Sequence, residues 1–468
     1  MAEIREKVNS VQAGENPLGT KKIGFLMLQF AIPAVISNLV NASYNLVDQA
    51  LIGNVVGMLG IAATNIAFPL TTICAAVGYL LGTGGASNYN LQLGKGDKDA
   101  ANRYACNILS LLVIIGVAIG AITLIFVKPL VFAFGATERV APMAFSYTTI
   151  TAIGIPFSIF TTGACALIRA DGHPRYSMGC MLAGAIFNIV TDPIVALVFD
   201  WGLVGLAWTS TIGQMLSAGI AVFYYLRITK TISLKREYFR PRSNLAKNIC
   251  ALGLTPSINQ LGVTIVQITM NNTLRYYGAM SVYGSDIPLA AVGAISKLTV
   301  IFTAFVVGVA QGCQPINGFN YGAQKYDRVK KTLRLSLTVG GILSLSAFAV
   351  FQLFPRQLMV IFGENDPLYL EFSVRYLRIF MFTIFLSGVQ PIAATFFPSI
   401  GKAGHGLLIS LSRQIIFLLP LLLILPIFFG LNGAVYAGPA SDFAAACVSG
   451  TLIVREAKKL TALQKARL

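Results

Sequence analysis

Charged residues are scarce in this chain of 468 residues: Asp, Glu, Lys and Arg together make up 11% of it, whereas about 25% is usual in a soluble domain. Acidic residues are the scarcest, with 18 Asp and Glu against 35 Lys and Arg. Hydrophobic residues make up 55% of the chain, and the mean hydropathy is +0.71. This balance excludes a soluble globular enzyme and predicts a polytopic membrane protein.

The chain also lacks the patterns of metal sites, disulfide frameworks and nucleotide-driven pumps. Its seven cysteines include no CxxC pair, and its two histidines, His173 and His405, have no spacing for metal binding. No G-x-x-x-x-G-K-[ST] loop occurs, so ATP-driven transport is not indicated. The net charge of +17 lies in short segments between apolar runs rather than in one basic patch. We therefore expect no cofactor and no nucleic-acid partner, and membrane lipids as surroundings.

What the chain has in abundance is long apolar runs, each of a length that spans a bilayer. The first leads directly into the second without an A-x-A cleavage site, so we interpret it as a span rather than a signal peptide. The expected spans are about 24–50, 59–86, 105–127, 141–166, 178–199, 203–226, 249–274, 289–317, 333–354, 373–397, 406–429 and 433–454.

Twelve spans divide the basic residues into two unequal sets. Most of them lie in the amino-terminal segment, in the loops after even-numbered spans and in the tail, and seven lie between Arg227 and Lys247 alone. Cytoplasmic loops carry such an excess, so we expect both termini in the cytoplasm and the spans in the cell membrane. The opposite loops hold only six basic residues: Lys128, Arg139, Arg275, Arg356, Arg375 and Arg378.

Short motifs recur between the two halves of the chain. Pro33 and Asp48 are matched by Pro256 and Asn271 at an offset of 223, and the other pairs have offsets of 228 or 230. Because each half holds six spans, both enter the membrane from the same side, which predicts a parallel repeat around an axis along the membrane normal. The other pairs are Gly78-x-x-x-Gly82 with Gly308-x-x-x-Gly312, Gly135–Glu138 with Gly363–Asp366, and Gly202-Leu-Val-Gly205 with Gly430-Leu-Asn-Gly433.

The predicted fold is therefore an all-α membrane protein of two six-helix lobes related by a pseudo-twofold axis. We expect an amino-terminal segment at 1–22, a first lobe at 23–226, a basic linker at 227–248, a second lobe at 249–454 and a cytoplasmic tail at 455–468.

Asp48 is the first of three acidic residues within spans. Asn38, Asn41, Asn45 and Asp48 recur at steps of three or four, which places them on one helix face. The asparagines alone fit a polar stripe that holds helices together. A carboxylate inside a span is costly, however, and indicates that Asp48 carries or senses a cation.

The second acidic residue, Asp192, follows Asn188 by one helical turn and precedes Pro193. An amide oxygen, a carboxylate and a carbonyl freed by the proline are ligands suited to Na⁺ or H⁺. The alternative is a kinked packing helix in which Asp192 binds Asn188 or a neighbouring helix.

The third acidic residue, Asp442, has no acidic counterpart in the first half. A structural ion pair with Arg413 or Lys297, the two basic residues within spans, is the favoured interpretation, against a role in substrate binding. The seventh span carries Gln260, Gln267 and Asn271 but no carboxylate. Ion coupling is therefore expected in the first lobe alone.

From about Lys21 to Lys459 the chain resembles the multidrug and toxic compound extrusion (MATE) transporters. The resemblance rests on the stretch Val307–Gln324 with Tyr326 and Arg328, on Pro33 with Asp48, on Asn188-x-x-x-Asp192-Pro193, and on Ser412-Arg413-Gln414. It is to the branch with acidic residues in the amino-terminal lobe (DinF/MepA-like), because the seventh-span carboxylate of the NorM-type branch is absent.

The resemblance implies two lobes that alternate between outward-open and inward-open states, exporting drugs while H⁺ or Na⁺ enters. It further implies a monomer that is not an enzyme. Asp48, Asn188 and Asp192 match the cation-binding cluster of the family, and Thr209, Ser210 or Thr211 completes it, with Ser210 as our choice. No other metal is expected. Substrate is expected to contact Asn41, Tyr44, Asn45, Gln267 and Asn271.

Two alternatives belong to other classes. A flippase for a lipid-linked sugar would favour a basic cavity, for which only Lys297 and Arg413 are available. A membrane aspartyl protease has no repeat of six spans. It usually carries a G-x-G-D motif within a span, whereas here the pattern occurs at Gly94–Asp97, in the loop after the second expected span.

Overall fold

The computed structural model describes residues 16–361 and 367–466, and this part of the chain is helical with no strand. Eleven of its helices are long and apolar enough to cross a membrane, and a pair bent by 40° supplies a twelfth. The predicted runs are thus confirmed as helices. In chain order they are α1 (Ile23–Val55), α2 (Met58–Gly94), α3 (Lys98–Ile125), α4 (Ala141–Ala170), α5 (Pro174–Leu197), α6 (Gly202–Ile228), α7 (Ser243–Ala279), α8 (Asp286–Gly322), α9 (Tyr326–Leu353), α10 (Pro367–Leu386 with Val389–Ser399), α11 (Ala403–Phe429) and α12 (Leu431–Lys465).

The twelve helices pack as two groups of six, each around its own buried core. The larger core in α1–α6 is built mainly from α2, α3, α4 and α6, and that in α7–α12 draws on all six helices. Short helices at Pro17–Thr20, Val127–Ala133, Arg236–Phe239 and Pro355–Val360 join the spans. Of the expected segments, residues 1–15, 362–366 and 467–468 lie outside the described residues, including the Gly363–Asp366 member of one repeat pair.

The repeat is visible in the backbone as well as in the sequence. Gly96 and Gln324, which follow α2 and α8, both have positive φ, at 81° and 57°. Gly202, the first residue of α6, and Gly430, which precedes α12, also match, at 53° and 57°. A positive φ is uncommon for a residue other than glycine, so its presence at Gln324 supports a turn shared with Gly96. Because these turns recur at the offset of 228 already seen in the motifs, the halves share their connections.

The two groups are in close backbone contact at Gly94 and Gly322. A Cβ atom on Gly94 would lie 2.1 Å from the carbonyl oxygen of Phe319, and one on Gly322 would lie 2.2 Å from that of Leu91. Each residue of one contact lies 228 positions from its counterpart in the other. The pseudo-twofold axis therefore passes between these glycines, at the end that carries the basic loops, which we call the basic face.

Two further seams extend from this point. In the seam between α1 and α8, Gly308 and Gly312 lie against Val35 and Ala31. Their counterparts Gly78 and Gly82 instead pack on α4, within the first group, against Thr162 and Gly163. The repeated glycine motif thus serves an inter-lobe contact in one half and an internal contact in the other.

In the seam between α2 and α7, the backbones approach as closely as helices can. A Cβ atom on Gly253 would lie 1.7 Å from the carbonyl oxygen of Leu80, and one on Gly84 would lie 2.0 Å from that of Ile249. Small residues permit this approach, which brings main-chain atoms into van der Waals contact.

The linker between α6 and α7 is fixed by a buried carboxylate, Asp171, whose side chain is fully buried. Its oxygens accept hydrogen bonds from Tyr89 (2.9 Å), Tyr224 (2.5 Å), Thr229 (2.8 Å) and Thr231. These donors come from α2, from the end of α6 and from the linker itself. Asp171 follows α4 directly, so one carboxylate holds three segments of the first lobe together.

The second lobe has a comparable tie at the same face. Lys402, in the loop before α11, forms an ion pair with Glu456 of α12, whose side chain is 5% exposed. Helix α12 extends past the expected end at residue 454, to Lys465. The first residues of the expected tail are therefore part of the helix and contribute a buried charge.

The substitution Gly253→Ala tests the α2–α7 seam. The new methyl group overlaps a carbonyl oxygen, so the helices must separate at a cost of about 1–3 kcal/mol, and we expect a lower midpoint of thermal unfolding in detergent. Gly341→Ala in α9 is the control, because a Cβ there has nothing within 4 Å and Ala favours a helix. An unchanged midpoint for Gly253→Ala would contradict the packing described.

The substitution Asp171→Asn tests the linker anchor. An amide cannot accept four hydrogen bonds from hydroxyl groups, so Tyr224 and Thr229 or Tyr89 and Thr231 lose their acceptor. We expect a lower thermal midpoint and faster tryptic cleavage at Lys230 and Lys235. Glu237→Gln removes an exposed linker carboxylate and should change neither; equal effects of both variants would show that Asp171 is not the anchor.

Candidate functional site

The structure brings Asp48 of α1 and Asp192 of α5 together inside the first lobe. Their carboxylates are close enough to interact electrostatically. Asp192 is buried, with 3% of its surface exposed, and Asp48 is half-buried. Neither has a basic residue as an ion-pair partner among the described residues. Charge on both groups would therefore be repulsive in a region of low dielectric constant, where the repulsion is poorly screened.

Two tyrosines lie beside these carboxylates. The Tyr44 hydroxyl, one turn before Asp48 on α1, is hydrogen-bonded to the Ser210 hydroxyl on α6 at 3.0 Å. Tyr44 and Tyr147 both interact electrostatically with Asp48 and Asp192. Tyr147 was not identified from the sequence, since no pattern in α4 marks it. The site thus draws on four helices: α1, α4, α5 and α6.

On α5, two buried oxygen atoms lack hydrogen-bond donors within the described residues. They are Oδ1 of Asn188 and Oδ1 of Asp192, on side chains 5% and 3% exposed. The two residues lie one turn apart and share a helix face, as expected. Gly213 of α6 makes room for Asn188, because a Cβ at Gly213 would lie 2.5 Å from that same Oδ1. A buried acceptor without a donor is costly, so this pair has unused capacity for a cation or a proton.

The hydroxyl groups on α6 have three different partners. Thr209 lies beside the Asp192 carboxylate and donates to the Leu206 carbonyl. Ser210, our choice from the sequence, contacts Tyr44, and Thr211 donates to the Ile150 carbonyl of α4. The hydroxyl nearest Asp192 is thus Thr209, while Ser210 joins the cluster through Tyr44. Residue spacing alone did not separate these three neighbours.

These groups supply oxygen donors only, which suits Na⁺ or H⁺ and not a transition metal. Among the described residues there is no group of three or more His, Cys, Asp or Glu side chains that would hold a metal ion. A bound cation would remove the repulsion between Asp48 and Asp192, and so would a proton on either carboxylate. The arrangement therefore fits reversible occupancy by a small monovalent cation.

Four of the expected substrate residues lie on the surfaces of two helices, α1 and α7. Asn41 and Asn45 continue the α1 face that carries Asn38, whose amide nitrogen lies 3.4 Å from Oε1 of Gln311 across the α1–α8 seam. Both are exposed, and the Asn45 amide donates to the Asn41 carbonyl oxygen at 2.7 Å. Among the described residues, Asn41 and Asn45 lie beyond the hydrogen bond between Asn38 and Gln311 that joins the lobes in this seam.

Gln267 and Asn271 have the same position on α7. They continue the face that carries Thr264, whose hydroxyl lies 3.5 Å from that of Thr72 across the α2–α7 seam. Gln267 donates to Asn271 at 3.0 Å, and Asn271 is exposed. The triplet Thr264, Gln267 and Asn271 lies 226 positions after Asn38, Asn41 and Asn45. Both surfaces therefore lie beyond these inter-lobe hydrogen bonds of their seams, on the side away from the basic face.

In the second lobe, the carboxylate within a span is neutralised by an arginine. Nε of Arg413 lies 2.7 Å from Oδ1 of Asp442, and Ser387 lies 3.3 Å from Oδ2. Arg413 is in a π-helical segment, Ser412–Leu418, which turns α11 locally. The favoured ion pair of Asp442 with Arg413 is thus present, whereas the role of Lys297 stays a prediction.

Comparison with known proteins gives the family. The MatE family model matches residues 33–194 and 261–424, which include Asp48, both α5 site residues and the Gln267–Asn271 pair. Multidrug export protein MepA of Staphylococcus aureus (strain N315) is 23% identical over 412 residues, covering 88% of this chain and 89% of the relative. MepA of Staphylococcus saprophyticus is 24% identical over 414 residues, with the same coverage.

Solved structures point to the same family. The MATE multidrug transporter DinF-BH is 33% identical, with a TM-score of 0.86 over 93% of this chain and 96% of its own. A mutant MATE protein gives a TM-score of 0.88 at 21% identity, over 96% and 98%. These structures have the twelve-helix, two-lobe fold, which confirms the predicted fold class, and they do not favour the flippase alternative. The chain is a multi-pass membrane protein that belongs to the MatE family of transporters.

Proposed function

We propose that this protein exports amphipathic, often cationic, organic compounds across the cell membrane in exchange for H⁺ or Na⁺. The observation that carries the proposal is the pair Asp48 and Asp192, two interacting carboxylates without a basic partner among the described residues. The multidrug relatives support the substrate class. Because the cluster lies within a single lobe of one chain, the proposal needs only a monomer. It involves no catalytic chemistry.

The coupling of cation binding to substrate release depends on the position of α1. Its Asp48 faces Asp192, while its Asn41 and Asn45 line the space between the lobes. Cation binding removes the repulsion between α1 and α5, so α1 moves toward α5 and the wall that holds substrate changes shape. A cation can drive such a change only if it binds the two arrangements with different affinity. Because α1 carries both Asp48 and the expected substrate residues, its two arrangements bind the cation with different affinity. Substrate is released when α1 moves from one arrangement to the other.

Access alternates by movement of the two lobes. With the basic face in the cytoplasm, as the distribution of Lys and Arg favours, the lobes are joined on the cytoplasmic side and apart on the outer side. Export requires a second state in which the Gly94–Gly322 contact and the two seams open.

The substitution Asp192→Asn tests the coupling site. It keeps the shape but removes the charge, so we expect transport of a cationic dye in proteoliposomes to fall at least tenfold, with the thermal midpoint retained. Asp200→Asn, which changes an exposed loop carboxylate, is the matched control. Gradients of pH and of Na⁺ are imposed separately, and only one should drive the wild-type protein. Full transport by Asp192→Asn would overturn the assignment.

The same assay with Asn188→Leu identifies the ion. Na⁺ needs several oxygen ligands, so a Na⁺-coupled protein should lose most transport when the Asn188 oxygen is removed. A proton needs only the carboxylate, so a H⁺-coupled protein should keep most of it. A Na⁺-driven wild type that tolerates Asn188→Leu would exclude Asn188 as a ligand.

At the basic face, Arg328 bridges the two lobes. Its guanidinium donates to the carbonyl oxygens of Leu18 (3.1 Å) and Lys21 (2.6 Å), which precede α1, and to Oδ1 of Asn320 (2.9 Å) at the end of α8. The Asn320 amide donates to the same Leu18 carbonyl at 3.0 Å. These contacts must break when the basic face opens, so Arg328 sets part of the free-energy difference between the two states.

Cys313 reports this opening. It is buried in the α1–α8 seam, with 2% of its surface exposed, beside Met27 and Ala31. In a variant that retains Cys313 as its sole cysteine, we expect Arg328→Gln to increase the rate of maleimide labelling several-fold, because charge-assisted hydrogen bonds are lost. Arg455→Gln, at an exposed position of α12, should leave the rate unchanged. Equal rates in both variants would contradict the role of Arg328.

A further inference from the structure

A groove runs along the outside of the second lobe at the basic face, between α9, α12 and the start of α1. Its volume is about 1240 Å³. On α9 it extends from Asp327 to Thr338, and on α12 from Gln464 to Ile453. At 1.5 Å per residue, either wall is about 16 Å long, which is close to half of the ~30 Å hydrocarbon thickness of a bilayer. The groove therefore has the length of one membrane leaflet.

The lining changes from cationic to apolar along the groove. Lys330, Lys331 and Arg334 of α9 and Lys458 of α12 lie towards the basic face. Further into the membrane the lining includes Leu335, Leu337, Ile453 and Val454. Such a change matches a molecule with an anionic head and an apolar tail.

The cations of the groove are available for a ligand. None of the four forms an ion pair with the residues that the structure describes. Lys331, Arg334 and Lys458 are exposed, and Lys330 donates to the Thr461 hydroxyl of α12 at 3.2 Å. Asp327 is the one carboxylate among the described lining residues, so the groove keeps a net positive charge.

We propose that this groove binds an anionic phospholipid of the leaflet that contacts the basic face. The headgroup phosphate is held by Lys331, Arg334 and Lys458, and an acyl chain lies along Leu337, Ile453 and Val454. Basic pockets between spans select anionic headgroups in this way. A free phosphate would leave the apolar part uncovered, whereas a phospholipid matches both parts of the lining.

The bound lipid also contacts both lobes. Ile23 and Gly24, at the start of α1, line the groove together with α9 and α12. The lipid therefore stabilises the closed basic face, in which these residues are adjacent. The binding site itself does not depend on the proposed export activity, and its test needs no transport.

The test measures lipid binding to the full-length protein in detergent by native mass spectrometry. Dioleoylphosphatidylglycerol should bind more tightly than dioleoylphosphatidylcholine. Combining Lys331→Gln, Arg334→Gln and Lys458→Gln should weaken phosphatidylglycerol binding by roughly tenfold to a hundredfold and leave phosphatidylcholine unchanged. Arg240→Gln, Arg242→Gln and Lys247→Gln, which remove the same charge from exposed positions of the linker and the start of α7, form the control and should bind as the wild type does.

A second variant tests the apolar part with the charges intact. Val454→Trp fills the groove and should also abolish the preference, whereas Val350→Trp, at an exposed position of α9 outside the groove, should not. Size-exclusion profiles and thermal midpoints establish that each variant is folded. Equal affinity for both lipids, an unaffected triple variant, or complete displacement by millimolar inorganic phosphate would each overturn the proposal.

Discussion

The repulsion between Asp48 and Asp192 is the constraint on which the rest of the site depends. Carboxylates within an apolar bundle are costly, and two of them side by side are costlier still, because low dielectric strengthens their interaction. The Thr209 hydroxyl beside Asp192 moderates this cost without neutralising the charge. Under the proposed function, a proton or a cation relieves this cost during part of the transport cycle. The proposed function thus links ion binding to the packing of α1 against α5.

Helix α1 is the element that connects this site to the lobe interface. The same helix supplies Asp48, the exposed polar residues Asn41 and Asn45, and the contact of Ala31 and Val35 with α8. Under the proposed mechanism, a displacement of α1 at Asp48 is transmitted to the α1–α8 seam along the helix itself. The glycines in that seam allow two backbones to touch, so even a small movement of α1 changes the contact.

The sequence predicted the twelve helices because hydropathy and basic loops are local signals, and it predicted the repeat because motifs recur at a fixed offset. It did not reveal Asp171, since a carboxylate in an Asp-Gly loop resembles an ordinary exposed turn and its four donors come from distant positions. Tyr147 was also missed, because its interaction with Asp48 and Asp192 depends on helix packing and not on a local pattern. The choice among Thr209, Ser210 and Thr211 depends on helix rotation, which three adjacent hydroxyl residues do not specify. Contacts set by packing thus remained beyond sequence reasoning, whereas contacts set by periodicity did not.

The two lobes share a backbone repeat but treat charge in opposite ways. In the second lobe, Arg413 neutralises Asp442 internally, so that carboxylate has no need of an external cation. In the first lobe, Asp192 has no such partner in the described chain, and its charge can be balanced only from solution. A repeat that placed an arginine near Asp192 would keep the fold and lose the demand for an ion. The asymmetry between the lobes, rather than the symmetry of the fold, is therefore the basis on which we propose coupling in the first lobe.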